Sequence, residues 1–253
     1  MSPTNVLGRC SQLIERKLGF SSNVHLGHKN DLAMVGNDFG TAQVVELLSD
    51  LYTELSGDLR ELKKRTSKEN WRFKLCTKIA SKNRSPETRL EKALAQGAGH
   101  THPGSRWANQ VPTASGLFKS TSAVKKNVDI VRRRTHDSSY DFVELKVASD
   151  TPLYAAFEIL LNGVLYLLAR KLCVAKETRG FNEHSPLLEA SEIHLCVLAP
   201  EMFYEACDVK KLKSIEKAIN EGIFQYAKDL NVAMSFRFRK FELIKVFDSA
   251  FLE

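Results

Sequence analysis

The five cysteines, Cys10, Cys76, Cys173, Cys196 and Cys207, form no Cys-x-x-Cys pair, and their number is odd. That excludes a disulfide framework and the usual zinc spacings, and leaves reduced core thiols as the expectation. His100-x-His102 is the nearest approach to a metal pair, but it lies in a glycine-rich stretch without cysteine partners. The first residues lack the basic-then-apolar pattern of a secretory leader. No apolar run is free of charge. The longest, residues 153–174, carries Glu158 and Asn162 near its middle, and a charge there is costly in lipid. It reads as a helix buried against a sheet, and the chain as soluble and cytoplasmic, with no membrane partner. Several reaction classes lack their signatures. There is no Gly-x-Ser-x-Gly elbow and no Gly-x-x-x-x-Gly-Lys-Ser/Thr loop, since Gly36 and Gly40 frame Asn37-Asp38-Phe39 without the lysine. There is no dinucleotide fingerprint, no RNP-like or zinc-finger pattern, no internal repeat and no low-complexity tract.

What is present is ordinary globular composition and a positive balance. A chain of 253 residues with 43% hydrophobic residues can bury a substantial core, as one large domain or two smaller ones. The net charge of +7 and pI near 9.1 favour a polyanionic partner, because each neutralised phosphate releases counterions.

The chemistry-bearing pattern is Val128-Asp129-Ile130 followed by Phe142-Val143-Glu144-Leu145-Lys146-Val147. Both segments have strand character, and the polar stretch between them, residues 132–140, suits a hairpin. Side chains alternate faces along a strand, so Glu144 and Lys146 share one face while Val143, Leu145 and Val147 share the other. Asp129 points away from Val128 and Ile130. Paired as a hairpin, the segments bring two carboxylates and an amine to one patch. Two carboxylates can hold a hard divalent cation, and the lysine can orient or deprotonate a water beside a phosphodiester. Glu-x-Lys alone says little: Glu61-Leu62-Lys63 occurs in the same chain, where Leu55, Leu59 and Leu62 recur at helical spacing. The segment at 144–146 differs in lying on a strand, behind an acid-bearing strand and between helices. The bland alternative is an amphipathic strand pair with a charged outer face.

This pattern resembles the PD-(D/E)XK nuclease superfamily, the restriction-endonuclease-like fold, over residues 81–253. Asp129 matches the first acid, Glu144 the second and Lys146 the lysine; Val128 stands where many members have proline. Residues 85–94, beginning Ser85-Pro86-Glu87, resemble the leading helix, which often donates another acid. The Pro-Glu form is similar to that of very-short-patch-repair-like relatives, which favours Glu87 over Glu91. An acid at Glu87 also suits a helix N-terminus, so a capping role stands beside the catalytic one. The resemblance implies an α/β fold, a restriction-endonuclease-like mixed sheet flanked by helices. Asp129, Glu144 and Glu87 (Glu91 as the alternative) would ligate Mg²⁺, for which Mn²⁺ can substitute, with Lys146 completing the catalytic set. Asn162 and Tyr166 stand at the spacing of the Gln-x-x-x-Tyr element of some relatives, with Asn replacing Gln; Glu158, one turn earlier, reads as Asn162's buried polar partner.

The remaining elements follow from periodicity. Residues 1–80 read as a helical region, an N-terminal extension or small domain. A short helix is expected over 11–18 and an amphipathic one from Thr41 through Leu59, ending in Lys63-Lys64-Arg65. A loop is expected over 21–40 and a short helix over 68–80. Strands are expected over 107–117, 125–134, 140–147, 192–199 and 232–243, with helices over 151–171 and 210–230. Gln110 could contact the site, but it reads first as a plain strand residue. The substrate-binding candidates are Lys125, Lys126, Arg132, Arg133, Arg134, Arg237 and Arg239, each cluster equally readable as a solubilising surface. The sequence therefore leads to a metal-dependent nuclease acting on nucleic acid, DNA before RNA, in a restriction, repair or mobile-element context. A homodimer is the arrangement nucleases cutting both strands often adopt. The alternatives are a non-catalytic member of the same fold that binds nucleic acid or protein, and an unrelated α/β binding protein.

Overall fold

A computed structural model of the chain describes residues 5–17, 40–59, 69–77, 85–101, 106–119, 126–134, 138–147, 151–174, 185–205, 207–228 and 231–241, without the side chains of 99–101. Residues 21–39 of the loop expected over 21–40, Glu61-Leu62-Lys63, His102 and Lys125 lie outside these residues.

Eleven elements follow in chain order: α1 (Val6–Lys17), α2 (Thr41–Gly57), α3 (Pro86–Thr101), β1 (Trp107–Pro112), β2 (Asn127–Arg133), β3 (Ser139–Leu145), α4 (Pro152–Val174), β4 (Glu192–Pro200), α5 (Glu201–Tyr204), α6 (Val209–Ala227) and β5 (Ala233–Phe241). The strands form one mixed sheet in the order β1-β2-β3-β4-β5. The β1–β2 and β2–β3 pairs are antiparallel, while β4 and β5 extend the sheet in parallel from β3. Parallel neighbours need crossovers, and α4 and α6 supply them. The result is the mixed α/β sheet flanked by helices that alternating strands and helices imply.

Helix starts follow the sequence chemistry. Ser85 Oγ accepts from Thr88 N at 3.2 Å ahead of Pro86, and Thr151 Oγ1 accepts from Tyr154 N at 3.1 Å ahead of Pro152. In α2, Val44, Leu47, Leu48, Leu51 and Leu55 line one buried face. The helix is shorter than its leucine spacing suggests. It ends at Gly57, because Leu59 leaves the helical path to form an antiparallel bridge with Phe118. The helix expected over 68–80 is not formed by 72–77. Trp71 has φ 61°, outside the right-handed helical region. The segment beyond it runs beside β1, where Cys76 N donates to Asn109 Oδ1 at 2.7 Å and Asn109 N to Lys74 O at 3.4 Å. It covers a sheet edge that would otherwise be bare. β1 stops at Pro112, short of the expected 117, as the chain turns through Gly116 at φ 69°.

The main core lies between one sheet face and α4 and α6, with α2 and α1 packed outside them. α4 is buried nearly all round because the sheet takes one side and α2 the other. By length and composition it could cross a membrane, but 89% of its apolar window is buried inside the protein, as in the core helix of a soluble protein. A smaller cluster on the opposite sheet face joins Leu94 of α3 to Ile130, Val143, Leu145, Cys196 and Phe241. Cys10 and Cys196 are buried, and all five cysteines are free thiols.

Candidate active site

Strand alternation puts Glu144 on the same side of β3 as Tyr140 and Phe142, facing α4, while Val143 and Leu145 face α3. Lys146 follows on Glu144's side. Both are buried, at 5% and 7% exposure, and a charge so placed needs partners. Lys146 Nζ lies 3.1 Å from Glu144 Oε1 and 2.8 Å from Glu158 Oε2 on α4. Glu158 Oε1 is 2.7 Å from Lys126 Nζ, ahead of β2. The four side chains thus form one row, Lys126–Glu158–Lys146–Glu144. Burial alone would raise the Glu158 pKa, but the lysines on either side hold it down at about 2. Lys146 also sits over the Tyr154 ring, 5.5 Å from its centroid.

Asp129 enters where the sheet is distorted. Between the pairs Asn109–Ile130 and Val111–Val128, Gln110 and Asp129 stand opposite one another, and Gln110 has φ 48°. The alternation breaks there: Val128 packs in the main core and Ile130 in the α3 cluster. β2 pairs with β3 only from Ile130 onward, and in place of the next backbone pairing Asp129 Oδ2 accepts from Leu145 N at 2.9 Å. Burial raises the Asp129 pKa to about 6, against the opposing pull of that N–H and of Lys146. Burial raises Glu144 well above the usual carboxylate range, and the negative charges of Asp129 and Glu158 add to it.

From the other side α3 contributes Glu91, 3% exposed. Its two oxygens accept from Asn109 Nδ2 at 3.0 Å and Gln110 Nε2 at 2.6 Å, and Gln110 Oε1 accepts in turn from Asn127 Nδ2 at 3.2 Å. Burial, with Asp129 adding to it, pushes Glu91 up to about 7, while the two amides pull the other way. Mutual electrostatic influence therefore links Glu91 to Asp129, and Asp129 to Glu144, Glu158 and both lysines. If all ionise, four carboxylates face two ammonium groups among the described residues, an excess of two negative charges in a poorly solvated place. Among the described residues, no three His, Cys, Asp or Glu side chains stand close enough to hold a metal ion as they are. Lys146, Leu145 N, Asn109 and Gln110 engage oxygens of these carboxylates.

The structure thus brings Glu144 and Lys146 into contact and sets Asp129 near them, with Glu91 near Asp129 from the α3 side. Glu87 lies half-buried in the first turn of α3, one turn before Glu91. Lys126 is tied to Glu158 within the row. Glu158 and Asn162 do not pair: Asn162 binds Asn127 O at 3.2 Å and accepts from Thr113 Oγ1 at 3.3 Å. Tyr166, four residues on, donates to Leu187 O inside the core. Arg132, Arg134 and Arg237 gather instead around Asp141 on the other sheet face. Arg133 lies over the Tyr140 ring at 5.8 Å. Sequence reasoning missed Asn109 and the role of Gln110. Nothing in a strand-like Trp107-Ala108-Asn109-Gln110-Val111 signals a positive φ at a glutamine.

No family model, characterised protein or solved structure matches this chain.

Proposed function

We propose that the protein is a metal-dependent nuclease that hydrolyses phosphodiester bonds in nucleic acid, DNA before RNA, with the restriction-endonuclease-like fold. The observation that carries this reading is the buried meeting of Asp129, Glu144 and Lys146 where β2 parts from β3. The element order supports it: a leading helix with an inward acid, a first strand, the Asp strand, the Glu-x-Lys strand, then a helix. A cytoplasmic setting belongs to the same reading, with five free thiols and a core apolar helix.

The residues fit a hard divalent cation. The donors are carboxylate oxygens, and burial first, with neighbouring carboxylates adding to it, raises their pKa values, a cost of burying negative charge that a cation would relieve. Asp129 and Glu144 would hold Mg²⁺ directly, and Glu91, rather than Glu87, lies beside Asp129 to complete the set. Bound there, Mg²⁺ supplies Lewis-acid polarisation and neutralises phosphate charge. Lys146 is kept in place by Glu158, so its amine is oriented before substrate arrives; it positions the attacking water and offsets negative charge in the transition state. Gln110 and Asn109 orient Glu91. Uncatalysed phosphodiester cleavage is slow enough that the site must supply on the order of 20 kcal/mol, mostly through positioning and charge.

The test is incubation of purified protein with plasmid, single-stranded DNA and RNA in Mg²⁺, Mn²⁺ or EDTA. Metal-dependent cleavage is expected, and Lys146→Ala should abolish it with an unchanged circular-dichroism spectrum. Residual activity within about tenfold of wild type would remove Lys146 from its role. One observation favours a second reading, a non-catalytic nuclease-fold binder: Lys146 is held in ion pairs with both Glu144 and Glu158. Binding without cleavage under every metal condition would select it.

A further inference from the structure

On the sheet face toward α3, away from the Glu144–Lys146 row, one carboxylate is outnumbered by arginines. Asp141, buried and alternating with Tyr140 and Phe142, lies 3.9 Å from Arg132, 3.5 Å from Arg134 and 3.4 Å from Arg237. Arg106 and Arg239, both exposed, extend the cluster. Burial lowers the Arg132 pKa, Asp141 opposes that, and the like charges of Arg239, Arg134 and Arg106 add to the lowering. His194 lies 2.9 Å from Arg134 Nη1, and burial with that arginine holds its pKa below the usual 6.5, so it carries little charge at neutral pH. Glu192 supplies the second acid, half-exposed and 3.5 Å from His194. Among the described residues, five guanidiniums thus face two carboxylates. Among the described residues the buried Arg237 Nε has no acceptor, a donor left over once Asp141 is shared.

We propose that this arginine face is a second nucleic-acid site, gripping the phosphate backbone away from the bond that is cut. The ligand's identity rests on the nuclease reading; the site's existence rests on the arginines. Guanidinium forks match phosphate oxygens better than ammonium groups do. Arg134 and Arg237 come from strand positions three spacings apart but converge on Asp141 Oδ1, at 3.5 and 3.4 Å; with the exposed Arg106 and Arg239 beside Arg132, the face presents more guanidiniums than one phosphate engages. Arg132 is steadied by the Trp107 ring 5.6 Å from its guanidinium carbon, so part of the array is ordered in advance. Asp141 and Glu144 differ by three positions on β3 and so point to opposite faces, which separates holding the substrate from cutting it.

The experiment measures binding of a fluorescent duplex in EDTA against salt concentration, for wild type, Arg106→Gln/Arg239→Gln and Arg134→Gln/Arg237→Gln. The first pair is exposed, so its folding is not at stake; thermal melts check the second. Each double variant is expected to bind at least about tenfold more weakly at physiological salt and to flatten the slope of log affinity against log salt by nearly two. Unchanged affinity and slope in both variants would overturn the proposal and leave the nuclease reading standing. A wild-type protein that binds neither DNA nor RNA at low salt would overturn both. Displacement of the duplex by inorganic phosphate or a mononucleotide as effectively, per phosphate, as by an oligonucleotide would replace the backbone with a small-anion ligand and also overturn it.

Discussion

Glu91 gives up its proton reluctantly because it is buried beside Asp129, and that has a measurable consequence. In the unfolded chain it ionises near 4.5, in the folded protein near 7. Between those values the folded state holds the proton and the unfolded state has lost it, so stability falls as pH rises through that window. Asp129, moved from 3.8 to about 6, adds in the same direction. Glu158, held at about 2, acts oppositely: its contribution is complete above 4.5 and is lost as pH falls toward 2. Urea unfolding should therefore be hardest near pH 4 to 5. Glu91→Gln should flatten the decline above that range, an effect on the order of a few kcal/mol. A variant whose profile between pH 4.5 and 7 overlays wild type would remove Glu91 as its cause.

The same surplus charge predicts a metal effect without any turnover. Mg²⁺ at a hundredfold excess over its dissociation constant should add about 2.7 kcal/mol to stability at neutral pH. Asp129→Asn should lose most of that, read as a smaller rise in melting temperature. Equal rises in both proteins would dissociate Asp129 from cation binding.

Among the elements, close packing of helices decides where small residues are required. A Cβ on Gly222 of α6 would meet Val44 Cγ1 of α2 at 2.5 Å and its Cβ at 2.9 Å. Val44 is branched at Cβ and buried, so it has no room to swing aside. Gly222→Ala should cost about 1–3 kcal/mol in chemical unfolding. Gly57, the last residue of α2, has nothing within 4 Å of a built Cβ, and Gly57→Ala should stabilise by about 0.4–1 kcal/mol through the unfolded chain. Opposite signs for two glycine-to-alanine changes are the expected result, and equal signs would refute the packing account. The elements were also where the sequence was most readable. Phe142-Val143-Glu144-Leu145 declared its strand by alternation, and Ser85-Pro86 and Thr151-Pro152 declared their helix starts; the strand around Val128-Asp129-Ile130 was legible too, but not the break in its alternation. The segment after Asn70 misled because its apolar residues suit a helix, whereas Trp71 is used as a plug. It lies 6.0 Å from Phe142 and 5.5 Å from Tyr166, centroid to centroid, at a positive φ.

For the whole molecule, α1 and α2 share one hydrophobic core with α4, α6 and the sheet. Arg9 of α1 adds ion pairs to Glu54 of α2 and to Asp58 just beyond it, at 2.5 and 3.0 Å, though such exposed pairs contribute little. Without α2, the outer side of α4 would face water. Calorimetric unfolding should accordingly be a single transition, with van't Hoff and calorimetric enthalpies agreeing. Two resolved transitions, one assigned to the N-terminal helices, would show that they fold apart from the sheet.

From residue order alone come the alternation of strand faces, the helix starts, the buried character of α4 and the presence of an acid pair with a lysine on neighbouring strands, because these depend on spacing within a few residues. Only the folded chain decides that Glu91 comes beside Asp129, that Glu158 steadies Lys146, and that Asp141 collects the arginines of β2 and β5. Those partners lie between 7 and 96 positions apart in the chain, and contacts at such separations are set by how the sheet closes and twists, which no local pattern encodes.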